Sequence, residues 1–127
     1  MYEISVEKHF DAAHFLRDYK GKCENLHGHR YTVIVKVTAE ALNAIGLAYD
    51  FTDLKGYLQT IMNKYDHVCL NDVPPFDKLN PSAENIASTI YKELKIKLAA
   101  NPEQSRGVTL TSVSAFETPH QGVTYTP

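Results

Sequence analysis

Residues 29–39 constrain this chain more than any other stretch. Tyr31, Val33, Val35 and Val37 alternate there with Thr32, Ile34, Lys36 and Thr38. Alternation at period two, built mostly from β-branched residues, fits a strand with one buried face and fits a helix poorly. Residues 2–12 repeat the pattern: Ile4, Val6, Phe10 and Ala12 are apolar, Glu3, Ser5, Glu7 and Asp11 are polar, and Lys8 is the exception. Between the two runs, residues 17–24 are polar and punctuated by glycine, with Asp18, Lys20, Gly21 and Lys22. An antiparallel pair across a longish loop is the expectation.

The period then changes. Leu54, Leu58, Ile61, Met62 and Tyr65 recur at helical spacing after Asp50 and Asp53, which predicts a first helix over residues 53–64. A second is predicted to open at Asn80-Pro81, with Asn80 as cap, to carry Ile86, Ile90, Leu94 and Leu98 on one stripe, and to stop near Asn101-Pro102. Strand character returns after Gly107 with Val108, Leu110, Val113 and Phe116, and again with Val123 and Tyr125 beyond the turn Thr118-Pro119-His120-Gln121-Gly122. A slip of phase between Leu110 and Val113 predicts a bulge. The expected architecture is α+β in the order ββααββ, a four-stranded antiparallel sheet with both helices on one face. Two such open edges, rich in Val and Thr, predict closure by further copies into a ring-like homo-oligomer.

The chain has 127 residues, 43% of them hydrophobic. It is expected to form one domain over 1–127 without disulfide support. Thirteen Lys and Arg against fifteen Asp and Glu give a net charge of −2, with no basic block. That composition argues against an electrostatic grip on nucleic acid or on anionic membrane. No apolar run approaches the roughly 20 residues of a membrane helix, and the start of the chain lacks a signal-peptide layout. A cytosolic protein with reduced thiols at Cys23 and Cys69 is the expectation.

The densest chemistry lies in Cys23-Glu24-Asn25-Leu26-His27-Gly28-His29. Side chains at i and i+2 of an extended chain share a face, so His27 and His29 present two imidazoles together, and His14, closing the preceding strand, can add a third. Three neutral imidazoles with an open fourth position make a catalytic zinc site; the competing reading is of ordinary strand-end histidines. Cys23 is either a base or nucleophile made acidic by a nearby Zn²⁺, or a fourth ligand, or a passive loop thiol. Cys69, between Val68 and Leu70, reads as a small core residue. Asp66-His67 has the form of a carboxylate that orients a proton-carrying imidazole, or else of a pair compensating a helix end. Glu117, ending an apolar strand, is either an exposed strand-end glutamate or an acceptor for two N–H groups of an aminopyrimidinone ring. Glu84 belongs to the first turn of the second helix, and His9 and His120 read as structural.

Together these residues resemble the 6-pyruvoyl-tetrahydropterin synthase family, most closely its bacterial branch of 6-carboxytetrahydropterin synthases. Cys-x-x-x-His-Gly-His at 23–29, the upstream His14, Asp50-Phe51-Thr52-Asp53-Leu54-Lys55, Asp66-His67 with Leu70-Asn71, Pro81-Ser82-Ala83-Glu84-Asn85 and Phe116-Glu117-Thr118 all fall in family order. The three-residue gap between Cys23 and His27 points to the bacterial branch. The resemblance implies a tunnelling fold (T-fold), whose ββααββ subunits join their sheets into a barrel and stack two rings, typically as a hexamer. It implies that His14, His27 and His29 bind Zn²⁺, that Cys23 works with Asp66 and His67 in proton transfer, and that Glu117 anchors a pterin. It further implies active sites at subunit interfaces, with the Asp-His pair supplied by the neighbouring chain. The implied reaction converts 7,8-dihydroneopterin triphosphate to 6-carboxy-5,6,7,8-tetrahydropterin, acetaldehyde and triphosphate, on the route to 7-deazaguanines such as queuosine. The alternatives are the pyruvoyl product, side-chain cleavage to 6-hydroxymethyl-7,8-dihydropterin for folate, and a non-catalytic zinc- or pterin-binding protein. One departure stands out: Glu24 superimposes Glu-x-x-His-Gly-His on the cysteine motif, the spacing at which a related branch places a glutamate base, so Glu24 is a candidate for a folate-directed activity.

Overall fold

The computed structural model describes residues 1–20 and 25–127, so the roles expected of Cys23 and Glu24 fall on positions outside the described residues. Strands β1 (Tyr2–His14) and β2 (His27–Ala39) are followed by helix α1 (Phe51–Met62) and the two-residue strand β3 (Val68–Cys69). Helix α2 (Ala83–Ala100) and strands β4 (Val108–Thr118) and β5 (Gln121–Tyr125) complete the order. The strands lie in the order β3-β1-β2-β4-β5. The long ladder between β1 and β2 runs from Tyr2 opposite Ala39 to His14 opposite His27. Both strands therefore reach two residues beyond their apolar patterns, and the histidines are themselves rungs.

The α+β expectation holds, with one addition. The sheet has five strands rather than four, because Val68 and Cys69 pair parallel to Ala12 and Ala13 at the far edge of β1. Two residues are too few to show a period. Cys69 accordingly sits half-buried in that edge strand and not in the core. The bulge falls where the phase slip put it: Lys36 faces Ser112 while Val37 faces Leu110, leaving Thr111 as the extra residue.

Both helices cover one sheet face, α1 against β1 and α2 against β4 and β5. Between them and the sheet lies one core, in which Tyr31, Val33, Val35 and Val37 meet Leu54, Leu58, Ile86, Ile90 and Leu94. Helix α1 begins at Phe51, two residues before the expected start, because Asp50 and not Asp53 is the cap: its Oδ1 accepts the Thr52 N–H at 2.8 Å. Helix α2 is capped by Ser82, whose Oγ accepts the Asn85 N–H at 3.2 Å. The expected cap, Asn80, instead fixes the 15–20 segment: its Oδ1 accepts the Arg17 N–H at 2.8 Å and its Nδ2 donates to the Arg17 carbonyl. Asn71 holds Phe15 in the same two-sided way. No helix is long and apolar enough to cross a membrane among the described residues.

The β4–β5 hairpin depends on a glycine. A Cβ on Gly122 would lie 2.2 Å from Cδ1 of Phe116, whose ring crosses that position. Gly122→Ala is expected to destabilise the protein by about 1–3 kcal/mol, the range for overpacking, seen as a lower denaturant midpoint with unchanged slope. An unchanged midpoint would contradict this packing.

Candidate active site

The end of the β1–β2 ladder gathers three imidazoles. His14 faces His27 and Ala12 faces His29 in the register, so alternation sets all three histidines on the helix-covered side of the sheet. Their ring centroids are 4.6, 4.8 and 5.4 Å apart. The Nε2 atoms of His14 and His27 stand 3.0 Å from each other. His14 is 1% exposed, whereas His29 keeps a partial opening to solvent.

The hydrogen bonds on the outer nitrogens decide what that short distance means. His14 Nδ1 lies 2.7 Å from the Pro81 carbonyl and His27 Nδ1 lies 2.6 Å from the Asn25 carbonyl. A carbonyl oxygen only accepts, so each Nδ1 carries the proton, and in the neutral rings both Nε2 atoms are bare lone pairs. Two lone pairs facing each other at 3.0 Å repel unless a cation lies between them. A zinc ion with Zn–N bonds of about 2.0–2.1 Å holds neighbouring nitrogens roughly 3.3 Å apart, close to what the chain provides. The donor set fits such an ion: three imidazole nitrogens within 4.8 Å of one another, two of them locked in tautomer by backbone carbonyls. Burial pushes the His14 pKa below the ordinary imidazole value, against the opposing pull of Pro81 and Glu117. Burial lowers that of His29 too. Both rings are thereby kept neutral and ready to ligate.

Glu117 joins this group from β4. Its Oε1 lies 3.8 Å from His14 Nε2 and its Oε2 3.8 Å from His29 Nε2, with the side chain 23% exposed. It also borders a recess of about 260 Å³ shared with Ser82, Glu84, Gln121 and Gly122 at the start of α2 and the β4–β5 turn. A carboxylate between an imidazole cluster and an open recess is placed to accept N–H groups of a planar ligand. Glu84 occupies the first turn of α2, as its position in the sequence suggested.

Asp66 and His67 gather elsewhere. The Asp66 Oδ1 accepts the Asp11 N–H at 2.9 Å and lies 2.9 Å from His67 Nδ1, while the His67 N–H donates to the Asp11 carbonyl at 2.6 Å. His67 is held in the left-handed region, φ 58°, unusual for a residue with a side chain and a mark of over-determined local structure. The Asp11 N–H, followed by His67, holds the Asp66 carboxyl below the usual carboxylate range. Bound to an ionised carboxylate, His67 Nδ1 carries a proton, and Nε2 is left for other chemistry on a ring that is 77% exposed. Asp11 points away from His14 by strand alternation, and its carboxylate is held by Arg30 at 3.0 and 3.3 Å. His67 borders a shallow recess lined also by Ala13, Gly28, His29, Arg30 and Cys69. Among the described residues the Asp66–His67 pair forms a cluster with Asp11, separate from the three imidazoles.

Sequence reasoning missed the groups that orient this chemistry. The Pro81 and Asn25 carbonyls are backbone atoms and leave no trace in residue type. Asp11 looked like any outward polar residue of a strand. Of the two histidines read as structural, His9 lies 3.1 Å from Thr32 Oγ1 on the exposed face.

A family model described as 6-pyruvoyl tetrahydropterin synthase matches residues 3–127. The chain is 32% identical to the 6-carboxy-5,6,7,8-tetrahydropterin synthase of Bacillus subtilis, over 99% of this chain and 86% of that one. It is 35% identical to human 6-pyruvoyl tetrahydrobiopterin synthase, over 97% and 90% of the two chains. The structure of Caenorhabditis elegans 6-pyruvoyl tetrahydropterin synthase matches with a TM-score of 0.81 at 31% identity, covering 100% of this chain and 97% of that one.

The buried imidazoles make metal-free stability depend on pH. An unfolded imidazole takes up its proton near pH 6.5, whereas His14 and His29 do so only at lower pH. Between those values the unfolded chain binds more protons, so stability falls as the pH drops below about 6.5. Denaturant unfolding of metal-free protein from about pH 7.5 to 5.5 should show this loss, and His14→Gln should reduce the slope. A midpoint independent of pH in the parent protein would contradict neutral, buried imidazoles.

Proposed function

The chain belongs to the 6-pyruvoyl tetrahydropterin synthase family, and on that premise we propose that it is a zinc-dependent lyase. The proposed reaction converts 7,8-dihydroneopterin triphosphate and water to 6-carboxy-5,6,7,8-tetrahydropterin, acetaldehyde and triphosphate, as a step toward 7-deazaguanines. The observation that carries this reading is the convergence of three carbonyl-tethered or buried imidazoles with Glu117 at 3.8 Å from two of them. Similarity to the Bacillus subtilis 6-carboxy-5,6,7,8-tetrahydropterin synthase supports the product, as does the gap between Cys23 and His27. The similarity to the human enzyme keeps the pyruvoyl product as the second reading.

In this proposal His14, His27 and His29 hold the ion, and a bound Zn²⁺ supplies Lewis acidity that makes a substrate hydroxyl easier to deprotonate. Glu117 accepts the paired N–H groups of the pterin ring and fixes its distance from the imidazoles. Cys23, as thiolate, removes a proton from the substrate side chain. His67 moves a proton at Nε2, its ring and tautomer set by Asp66 at Nδ1. Glu24 is the candidate for a cleavage yielding 6-hydroxymethyl-7,8-dihydropterin.

The placement of the Asp66–His67 pair favours an oligomer. It bonds the Asp11 backbone and forms a cluster apart from that chain's own three imidazoles, and the family resemblance supplies the pair at each site from a neighbouring chain. Among the described residues β1 is also unpaired along most of its outer edge, since β3 covers only Ala12 and Ala13. A homo-oligomeric barrel, a hexamer by family resemblance, closes such edges. The substrate is a small pterin triphosphate, with neither nucleic acid nor membrane as partner, and the proposed compartment is the cytosol.

Zinc-loaded protein supplied with 7,8-dihydroneopterin triphosphate should yield 6-carboxytetrahydropterin and acetaldehyde by mass. A pyruvoyl product would establish the second reading, 6-hydroxymethyldihydropterin that disappears in Glu24→Ala would give Glu24 its role, and no turnover would favour a binding protein. His67→Ala should lower kcat by about 10²–10⁴-fold and His27→Ala should lose the metal. Co-assembled oligomers of these two variants should regain activity that neither has alone. Failure to complement would place the complete site within one chain.

A further inference from the structure

Among the described residues three buried side-chain oxygens lack a hydrogen-bond partner, those of Tyr31, Tyr49 and Ser105, and only that of Tyr31 belongs to a ring packed against the imidazole cluster. The Tyr31 hydroxyl is fully buried and has no hydrogen-bond partner among the described residues, a state that costs free energy and is seldom left unexplained in a folded protein. Its ring is fixed on all sides: it stacks on Phe10 with centroids 4.9 Å apart and meets His14 and His29 edge-on, each at 5.7 Å. The phenol thus sits directly beside the imidazole cluster. A phenol hydroxyl can donate one hydrogen bond, and here that donor is unused among the described residues.

Glu117 has the complementary deficit. The imidazole nitrogens flanking it stand at 3.8 Å, beyond hydrogen-bond reach, and no donor hydrogen-bonds to it among the described residues. It lies next to Tyr31: Thr32 is opposite Phe116 in the β2–β4 ladder, and Tyr31 and Glu117 are the next residues on each strand. Both project to the helix-covered side, as do Val33 and Ala115 one step further back.

A carboxylate so close to two metal-competent nitrogens faces a competition. A cation at the imidazoles attracts it, and a carboxylate in the fourth position would close a site that catalysis needs open. It would also remove the acceptor on which pterin binding depends. We propose that the Tyr31 hydroxyl is a positioning donor to Glu117, which holds the carboxylate off the metal and keeps it available to the N–H groups of a planar heterocycle. The step from the present arrangement is a rotation of the Glu117 side chain toward the phenol. The pterin half of the inference rests on the proposed function; the metal half rests only on the three imidazoles.

Tyr31→Phe removes the hydroxyl and leaves the ring stacked on Phe10. In zinc-loaded protein it should slow the stripping of metal by a chelator about tenfold and weaken binding of 7,8-dihydroneopterin about tenfold, the scale of one hydrogen bond to a charged group. A gain for one ligand with a loss for the other is not the mark of simple damage to the fold. With Co²⁺ in place of Zn²⁺, the visible spectrum should shift as a carboxylate enters the coordination shell. In a Glu117→Ala background Tyr31→Phe should change neither quantity, since the coupled partner is gone. Metal release that is unchanged or faster in Tyr31→Phe, or an effect that persists without Glu117, overturns the proposal. A parent protein that takes up no metal overturns both the proposal and the site. One that shows the zinc effect but binds no dihydroneopterin overturns the pterin reading alone.

Discussion

The ladder between β1 and β2 is the constraint on which everything else depends. It pairs Tyr2 with Ala39 at one end and His14 with His27 at the other, and strand alternation does the rest. The register that buries Ile4, Val6 and Phe10 against the helices is the same one that turns His14, His27 and His29 to a common side. A slip of one residue would expose the apolar set and scatter the imidazoles together. Folding and site assembly are therefore one event, stabilised by the same buried side chains.

Electrostatics then gives the cluster its chemistry. The Pro81 and Asn25 carbonyls take the Nδ1 protons of His14 and His27 and leave two lone pairs opposed at 3.0 Å. Burial keeps His14 from relieving that repulsion by taking up a proton. Pro81 is placed by the segment leading into α2, which Asn80 ties to Arg17. The same entry to α2 supplies Ser82 and Glu84 to the recess beside Glu117. One short stretch thus orients a candidate ligand and borders the candidate substrate site.

Much of this was legible in the residues. Period-two runs of β-branched residues have few alternatives, and the stripes Leu54-Leu58-Ile61 and Ile86-Ile90-Leu94 became buried helix faces. Even the bulge at Thr111 was visible as a slip of phase. Four features escaped for definable reasons. Strand β3 is too short to show a period, which also misplaced Cys69 in the core. Asn80 and Ser82 are both good caps two residues apart, and only the hydrogen-bond geometry chooses Ser82. The dependence of Asp66 and His67 on Asp11 is a contact between segments distant in sequence, and no local pattern records it. Tyr31 was hidden by its own alternation, since a core tyrosine and a positioning tyrosine occupy the same place in a strand.

The central claim is that opposed imidazole lone pairs at the end of the β1–β2 ladder form a metal site. X-ray absorption at the zinc edge, on purified protein of known metal content, addresses it most directly. The account predicts one zinc per chain with three nitrogen ligands at about 2.0–2.1 Å and a light atom in the remaining position. A protein without zinc would contradict the site, and a sulfur shell at about 2.3 Å would make Cys23 a ligand, contradicting its assignment as the free base.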